Sequence, residues 1–548
     1  MWARRQRSRC LLFSSHVRNN WSSVNIRAAR RILQIGALLV VMAVTRGPLF
    51  DLDRFQVPKE LILHLAAFGA LVLVLRSVRS LSFGVVDCLL VGFALVSSIS
   101  AVAAPNGWVA FRAVGITWAA LACFWSGRAI ADAGLARPLL AFLAAVTVLG
   151  SGIALLQAYD VTMPLIASAR LPGGTYGNRN FMAHAAAIGL PLILYLTLTS
   201  RSRWGVLLGS AGAAVSAAAL LLSRTRAAWV AVTVGLLFLV IEGIWVNGLW
   251  RERATRGRLA ILIAAGVTGV TAAFLLPNTL TWKSDSPYLD SLVGVANFHD
   301  GSGRGRLIQW RNTLRMARDH PVLGVGPGNW QVYYPLYTTP GDPAYDHGDP
   351  IPTNPWPSSD WMAFLSERGL LACALLAAAV GGLMFVGWRR SRQHGAGPEG
   401  LAGLAMVAVL LVTVVAGAFD AVLLLAAPTF IVWTAVGALR PAPRRLVTLP
   451  EGAAQGMMWG AAGLGTLFAA RSALTALAIL VAGSGTSRTA LVWASRLDPG
   501  DYRLHMLLAR KPGREGACAA VREHATDAHD LFPYHDAPKR ALRICGVR

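Results

Sequence analysis

Six arginines, Arg54, Arg179, Arg224, Arg226, Arg304 and Arg306, stand in connections on the side of a membrane that positive-inside asymmetry depletes of cations. Orienting the chain does not explain them. A guanidinium presents a rigid fork of donors matched to phosphate oxygens, and several forks around one point hold a diphosphate without a metal ion. For any one of the six the alternative is a solvated surface side chain. A second set lies at membrane depth, where an ionisable group is costly: His64, Asp87, Arg112, His184, Glu242, Glu367 and Arg471. Asp87, Arg112 and Glu242 read as structural pairs or snorkelling groups near span ends. No relay of acids runs along one helix, which weighs against a proton-coupled carrier. The outer face also lacks a Walker loop, a GxGxxG after a strand, an HExxH pair and an acidic DxD pair in convincing context. Energy for any transfer must then come from the substrate, and an activated sugar on a membrane lipid diphosphate fits that requirement.

The elements that position these groups follow from composition. Of 548 residues 55% are apolar and 14% charged, and the mean hydropathy is +0.51, so lipid is the solvent for most of the chain. The apolar runs do not alternate, which excludes a barrel and leaves helices to satisfy the backbone. The expected fold is an all-α polytopic membrane protein with about 13 transmembrane helices, a large periplasmic loop and a small soluble α-helical C-terminal tail. The spans fall at 32–46, 60–75, 81–104, 108–127, 138–158, 181–199, 204–222, 227–247, 259–276, 361–387, 401–419, 421–439 and 457–482. Residues 1–31 form a basic cytoplasmic segment with eight arginines and no acid; 32–276 hold the first nine helices, 277–360 the loop, 361–482 the last four helices and 483–548 the tail. The first run lacks an Ala-x-Ala-like cleavage site and reads as an uncleaved span.

A net charge of +24 in a soluble chain would point to nucleic acid. Here most arginines sit in short connections, and a cytoplasmic N-terminus puts every such connection, from Arg76–Arg79 to Arg440–Arg445, inside. Thirteen crossings then leave the C-terminus in the periplasm of a bacterial inner membrane. Arg471, in mid-span, makes the last crossing the least secure. The loop holds Pro, Gly, Asp, Trp and Tyr, as a compact functional loop does. In the tail, "ASRLDPGDYRLHMLLA" and "HATDAHDLFPYH" resemble tetratricopeptide helices. One or two such units bury little surface alone, so the tail must lean on the loop, the membrane or a partner protein.

Several segments together resemble the O-antigen ligase and polymerase superfamily. "GNRNFMAHAAAIGLPL" (177–192) is similar to its Gly-Asn-x-Asn opening of a span, and "LSRTRAAWVAV" (222–232) to its Ser-Arg start of a later one. "GRLIQWRNTLRMARDHPVLGVGPGNW" (305–330) is similar to the signature of its periplasmic loop, and it is the most specific match. "DLDRFQVPKELILH" and "FLSERGLL" also fit, so the likeness covers about 50 to 440. The resemblance implies a metal-independent, inverting glycosyltransferase needing no cofactor. Its donor is an undecaprenyl diphosphate-linked glycan, and its acceptor is lipid A core or another envelope molecule. Relatives extend a polysaccharide or glycosylate protein.

Carried over residue by residue, Arg224 and Arg306 hold the diphosphate. Gly324, Gly326 and Gly328 shape the loop, and Glu367 and Gly369 open the span after it. One departure stands out. Where relatives carry a His-Asn pair, the His acting as base, this chain has Ser358 and Ser359. A serine hydroxyl takes no proton at neutral pH without a helper, so His347 or Asp360 is the nearest substitute. The competing readings are a carrier, for which repeated halves and broken spans are not evident, and a silent scaffold that recruits assembly enzymes. Cys10, Cys88, Cys123 and Cys373 have no metal-ligand spacing. Cys518 and Cys545, in a tail exposed to oxidation, are expected to form a disulfide across a tetratricopeptide-like hairpin, with two separate buried thiols as the alternative.

Overall fold

The computed structural model describes residues 20–78, 81–161, 163–167, 170–282, 284–295, 297–299, 301–339, 341–345, 355–440, 446–510 and 517–544. It is an all-α polytopic membrane protein. Helices α1 (Asn20–Met42), α2 (Asp53–Leu75), α3 (Val85–Val102), α4 (Gly107–Asp132) and α5 (Ala136–Ala158) open the chain. Then come α6 (Arg179–Leu198), α7 (Arg203–Ser223), α8 (Arg226–Phe238, continued to Val246 as a π-helix) and α9 (Arg253–Leu275). The loop carries α10 (Pro287–Val293), α11 (Gly301–Asp319) and α12 (Trp330–Tyr333). Helices α13 (Asp360–His394), α14 (Pro398–Phe419), α15 (Ala426–Leu439) and α16 (Glu451–Ala482) return to the bundle. The tail is α17 (Arg488–Leu497), α18 (Tyr502–Arg510), α19 (Ala517–Leu531) and α20 (Asp536–Ile544).

A helix stands at each of the thirteen apolar runs, and among the described residues eleven are long and apolar enough to cross a membrane. The two that fall short differ from expectation for physical reasons. Helix α1 starts at Asn20 instead of 32, because Arg27, Arg30 and Arg31 continue the helix as a basic extension. Helix α15 has 14 residues, about 21 Å against a hydrocarbon core of roughly 30 Å. Its expected start at 421 is lost because the Asp360 carboxylate accepts the N–H groups of Val422 (2.9 Å) and Leu423 (2.8 Å), holding 420–425 as a turn.

The two ends of the bundle use arginine differently. At one end arginines close helix C-termini, whose last carbonyls have no partner within the helix. Arg137 donates to Leu196 O and Thr199 Oγ1, Arg258 to Leu198 O, and Arg390 to Leu439 O. Buried Asp87 accepts from Arg128 (2.6 Å) and Arg440 (3.1 Å), and strands β1 (Leu81–Phe83) and β2 (Val447–Leu449) pair antiparallel beside them. The opposite end gathers the α3–α4 turn, the 277–360 loop and the tail: Asn106 and Asn329 bond reciprocally, and Thr279 N donates to Ala158 O.

The loop has its own core of Met316, Val325, Trp330, Tyr334, Ala344 and Tyr345. The tail leans on both loop and bundle. Leu491, Leu504 and Leu508 pack with Ala478 and Ile479 of α16, and Tyr502, Met506 and Phe532 pack with Val332. Arg471, unwelcome in an apolar span, is close enough to this end to pair with Asp498 of the tail at 3.1 Å. Arg503 reaches Asp53 at 2.5 Å. Cys518 is disulfide-bonded, and Cys545, its expected partner, lies outside the described residues.

Candidate functional site

Helix α7 stops at Ser223 because Arg224 takes a left-handed conformation (φ 52°, ψ 31°), its N–H bonding back to Leu221 O. Such a conformation is costly for a residue with a Cβ. Two residues later α8 begins at Arg226. The break aims both arginines at the loop. Arg224 Nε donates to Ser291 Oγ at 2.9 Å and its guanidinium lies 4.5 Å from the Trp282 ring. Arg179, the first residue of α6, stacks on the same ring at 5.1 Å. Arg226 donates to Gly294 O and to Ser302 Oγ (2.7 Å).

Together these residues line a basin of about 290 Å³, with Asp290 as its one acidic lining residue among those described. Arg306, one turn beyond Ser302 on α11, lies within Coulombic range of Arg226 and of His184. Partial burial holds the Arg224 guanidinium below the usual arginine range, with Asp290 and Tyr288 opposing the shift. Three helix N-termini converge here, since Arg179, Arg226 and Gly301 are the first residues of α6, α8 and α11. A helix N-terminus carries partial positive charge, which adds to that of the arginines and suits the basin to an anion, although on α6 the first two N–H groups are already taken, Arg179 N by Arg170 O and Asn180 N by Asn178 Oδ1.

A broken helix fastens the loop over the bundle. Helix α13 unwinds at Gly369 (φ 78°, ψ 175°), and Leu370 N then donates to Pro321 O at 2.8 Å. Val325 N and Gly326 N donate to Ser366 O and Glu367 O, both at 2.9 Å. Ser100 Oγ bridges Leu323 O (2.5 Å) and Glu367 O (3.0 Å). The contact is backbone on backbone: a Cβ on Gly369 would lie 2.0 Å from Val322 O, and one on Gly324 2.3 Å from Glu367 C. Gly326 and Gly328 also have positive φ, and Glu367 accepts from Trp330 N at 3.4 Å. Anchored there at its C-terminal side, α11 carries Ser302 back to the basin, with Arg306 one turn further along, outside the lining.

A roomier cavity of about 330 Å³ lies between α2, α4, α13, α16 and the tail. Its charges cancel in pairs: Arg112 with Glu60 (2.7 Å) and Asp53 (3.2 Å), Arg471 with Asp498, and Arg503 with Asp53. Buried Arg368 stacks over Phe93 and Phe364 at its wall. Size favours this cavity, but the basin is the better anion site, because its arginines bond to hydroxyls, a carbonyl and an indole face.

Not all expected residues reach the basin. Arg54 is buried and engaged by Asp51, Leu165 O and Ala167 O, where it pins the 164–167 segment. Arg304 is exposed on α11. Asp360 is fully buried with both carboxylate oxygens accepting backbone N–H groups, an arrangement that shapes a turn and leaves no open base. Ser358 donates its N–H to Gln309 Oε1 at 2.8 Å, and Ser359 caps α13. His347 lies outside the described residues. Behind Arg224 and Arg226, Asp420 accepts from Asn180 Nδ2 (2.9 Å), and Thr225 Oγ1 donates to Asn180 Oδ1 (3.2 Å). Buried His184 sits one turn below Asn180 with neither ring nitrogen hydrogen-bonded.

Trp282, Asp290, Ser291 and Ser302 also belong to the basin, and no spacing in the sequence marks them. The "SRTR" break, the α11 arginines, the glycine-rich turn and the unwound "SERG" segment all fall within one contiguous stretch, 211–377, and that stretch matches the family model of O-antigen ligase, Wzy_C. Over that stretch the chain is similar to an O-antigen ligase domain. The match runs from α7 into the first half of α13, so Arg179, which lines the basin, and Asp420 behind it lie outside the matched stretch. No curated protein matches the chain.

Proposed function

We propose that this protein is a periplasmic-facing glycosyltransferase of the O-antigen ligase type, passing a glycan from an undecaprenyl diphosphate-linked donor to lipid A core or another envelope acceptor. The observation that supports it is the basin: Arg179, Arg224 and Arg226 around one pocket, with three helix N-termini and little compensating acid. When the glycosidic bond to the donor breaks, a diphosphate leaves with growing negative charge. Preorganised cations in a partly desolvated pocket stabilise that charge more in the transition state than in the bound donor. The guanidinium forks supply this without a metal ion. The basin end faces the periplasm, and the N-terminus lies in the cytoplasm of a bacterial inner membrane.

The acceptor hydroxyl must lose a proton. With Asp360 committed to a turn, His347 is the remaining member of the expected pair; among the described residues Asp290 is the acid that lines the basin, and Asp420 stands behind the arginines through Asn180 and Thr225. A polymerase of the same superfamily would use the same donor site and a growing glycan as acceptor. Deletion of the gene separates the two: unligated lipid-linked polymer marks a ligase, single-repeat capping a polymerase. Unchanged envelope glycans would refute both. The direct test is transfer from a lipid diphosphate-linked glycan by purified protein, with Arg226→Ala and Arg306→Ala expected to lose it while remaining folded.

A further inference from the structure

Outside the basin, the tail brings together two imidazoles and a carboxylate. His505 of α18 and His524 and Asp527 of α19 present their ligand atoms within 4.8 Å of one another. His505 Nδ1 lies 3.2 Å and His524 Nδ1 3.9 Å from Asp527 Oδ2, and the two rings are 5.6 Å apart. The first approach lacks hydrogen-bond direction and the second is too long for a hydrogen bond, so both Nδ1 atoms are buried without a hydrogen-bond partner. That is costly for ordinary polar groups.

The far side of His505 fixes its state. Nε2 lies 3.2 Å from the carbonyl of Pro499, so Nε2 must carry a hydrogen and donate it. Nδ1 then faces a carboxylate oxygen at 3.2 Å, an approach that a shared cation, a metal ion or a ring proton, would bridge. A carbonyl holding the outer nitrogen of an imidazole is the orientation device of metal-binding histidines.

We propose that His505, His524 and Asp527 form a binding site for one divalent transition-metal ion of the zinc type, which clips α18 to α19. Two nitrogens and a carboxylate oxygen suit zinc, with the fourth position left to water. Zinc–ligand bonds of about 2.0–2.1 Å put ligand atoms roughly 3.3 Å apart around a tetrahedral ion. The His505–Asp527 pair already has that spacing, and His524, 3.9 Å from Asp527 in a set that lies within 4.8 Å, has up to about 1.5 Å to close. The Asp527 side chain is 45% exposed, so the ion has a route from solvent. Arg503 and Tyr502 precede His505 on α18 and line the charged cavity, so the clip would steady the tail's contact with the bundle.

The experiment uses the full-length protein in detergent, without a polyhistidine tag, stripped with a chelator and dialysed against zinc chloride. One zinc per chain is expected by elemental analysis, with a rise in melting temperature. Asp527→Asn and His524→Gln, both conservative, should weaken binding at least about tenfold. Cobalt in place of zinc should give a tetrahedral ligand-field spectrum that both variants lose. Wild-type protein without stoichiometric zinc, or variants binding as the wild type does, would overturn the site. None of these readouts depends on transfer activity.

Discussion

Arg224 offers the sharpest test of the basin, because one side chain combines a strained backbone, a hydroxyl contact, an aromatic stack and a fork directed at the pocket. Removing it in Arg224→Ala forfeits two charge-assisted hydrogen bonds to the diphosphate, each about 1.5–3 kcal/mol. Arg179 and Arg226 take up part of that charge, so a net loss near 3 kcal/mol is the working figure. At about 1.4 kcal/mol per tenfold, transfer should fall by roughly two orders of magnitude. Arg224→Lys restores the charge without the fork and should recover about tenfold at most. Ser291→Ala removes only the Nε contact, about 1 kcal/mol, and should cost near fivefold. The informative variant is Arg224→Gly: glycine adopts φ 52° without strain, so the melting temperature should hold or rise while activity falls as in Arg224→Ala. Initial rates with a lipid diphosphate-linked donor, beside thermal melts of the same preparations, supply both numbers. Arg224→Gly retaining more than about a tenth of wild-type turnover would refute a diphosphate-binding role.

Gly369→Ala should cost about 3 kcal/mol or more, because its φ/ψ region is nearly closed to other residues and the new Cβ would meet Val322 O; Gly266→Ala, which meets nothing, is the control in thermal melts. Asp360→Asn should lower stability by about 1–3 kcal/mol, since an amide accepts only one of the two N–H groups, and should leave turnover of the folded fraction intact; turnover lost without a change in melting would restore its role as a base. Alkaline phosphatase fused between α12 and α13, or at Arg548, should be active, and fluorescent protein at the same points dark; fluorescence within the loop would invert the assigned sidedness.

Hydropathy locates all thirteen apolar helices because lipid leaves a backbone no alternative, and the charged connections order them. It misplaces ends where a side chain from elsewhere decides them. The start of α15 depends on a carboxylate that is 62 residues from Val422 in sequence, and nothing near 421 announces it. Arg471 weakens the reading of α16 as a span until the tail supplies Asp498. A one-dimensional window sees the cost of the charge and not its partner.

The same limit governs the site. Arg224 and Arg226 stand out in the sequence because two arginines beside a helix break, in a connection that the positive-inside reading assigns to the cation-poor side, have no topological reason to be there. Arg54 shares that sidedness and differs only in its neighbours, three acceptors from nearby loops that satisfy its fork. Residue type and compartment therefore select candidates, whereas the contacts decide between them. An arginine whose donors meet carboxylates or carbonyls on every side is structural. One whose contacts are an indole face, a hydroxyl and three convergent helix N-termini still has charge to offer a ligand. Convergence of helix ends is invisible to periodicity, which reports the face a helix buries and not which termini meet. On the proposed reading it also makes the basin more than a cluster of like charges: the helix dipoles add to the guanidinium field, so a diphosphate would gain from both even where the arginines repel one another.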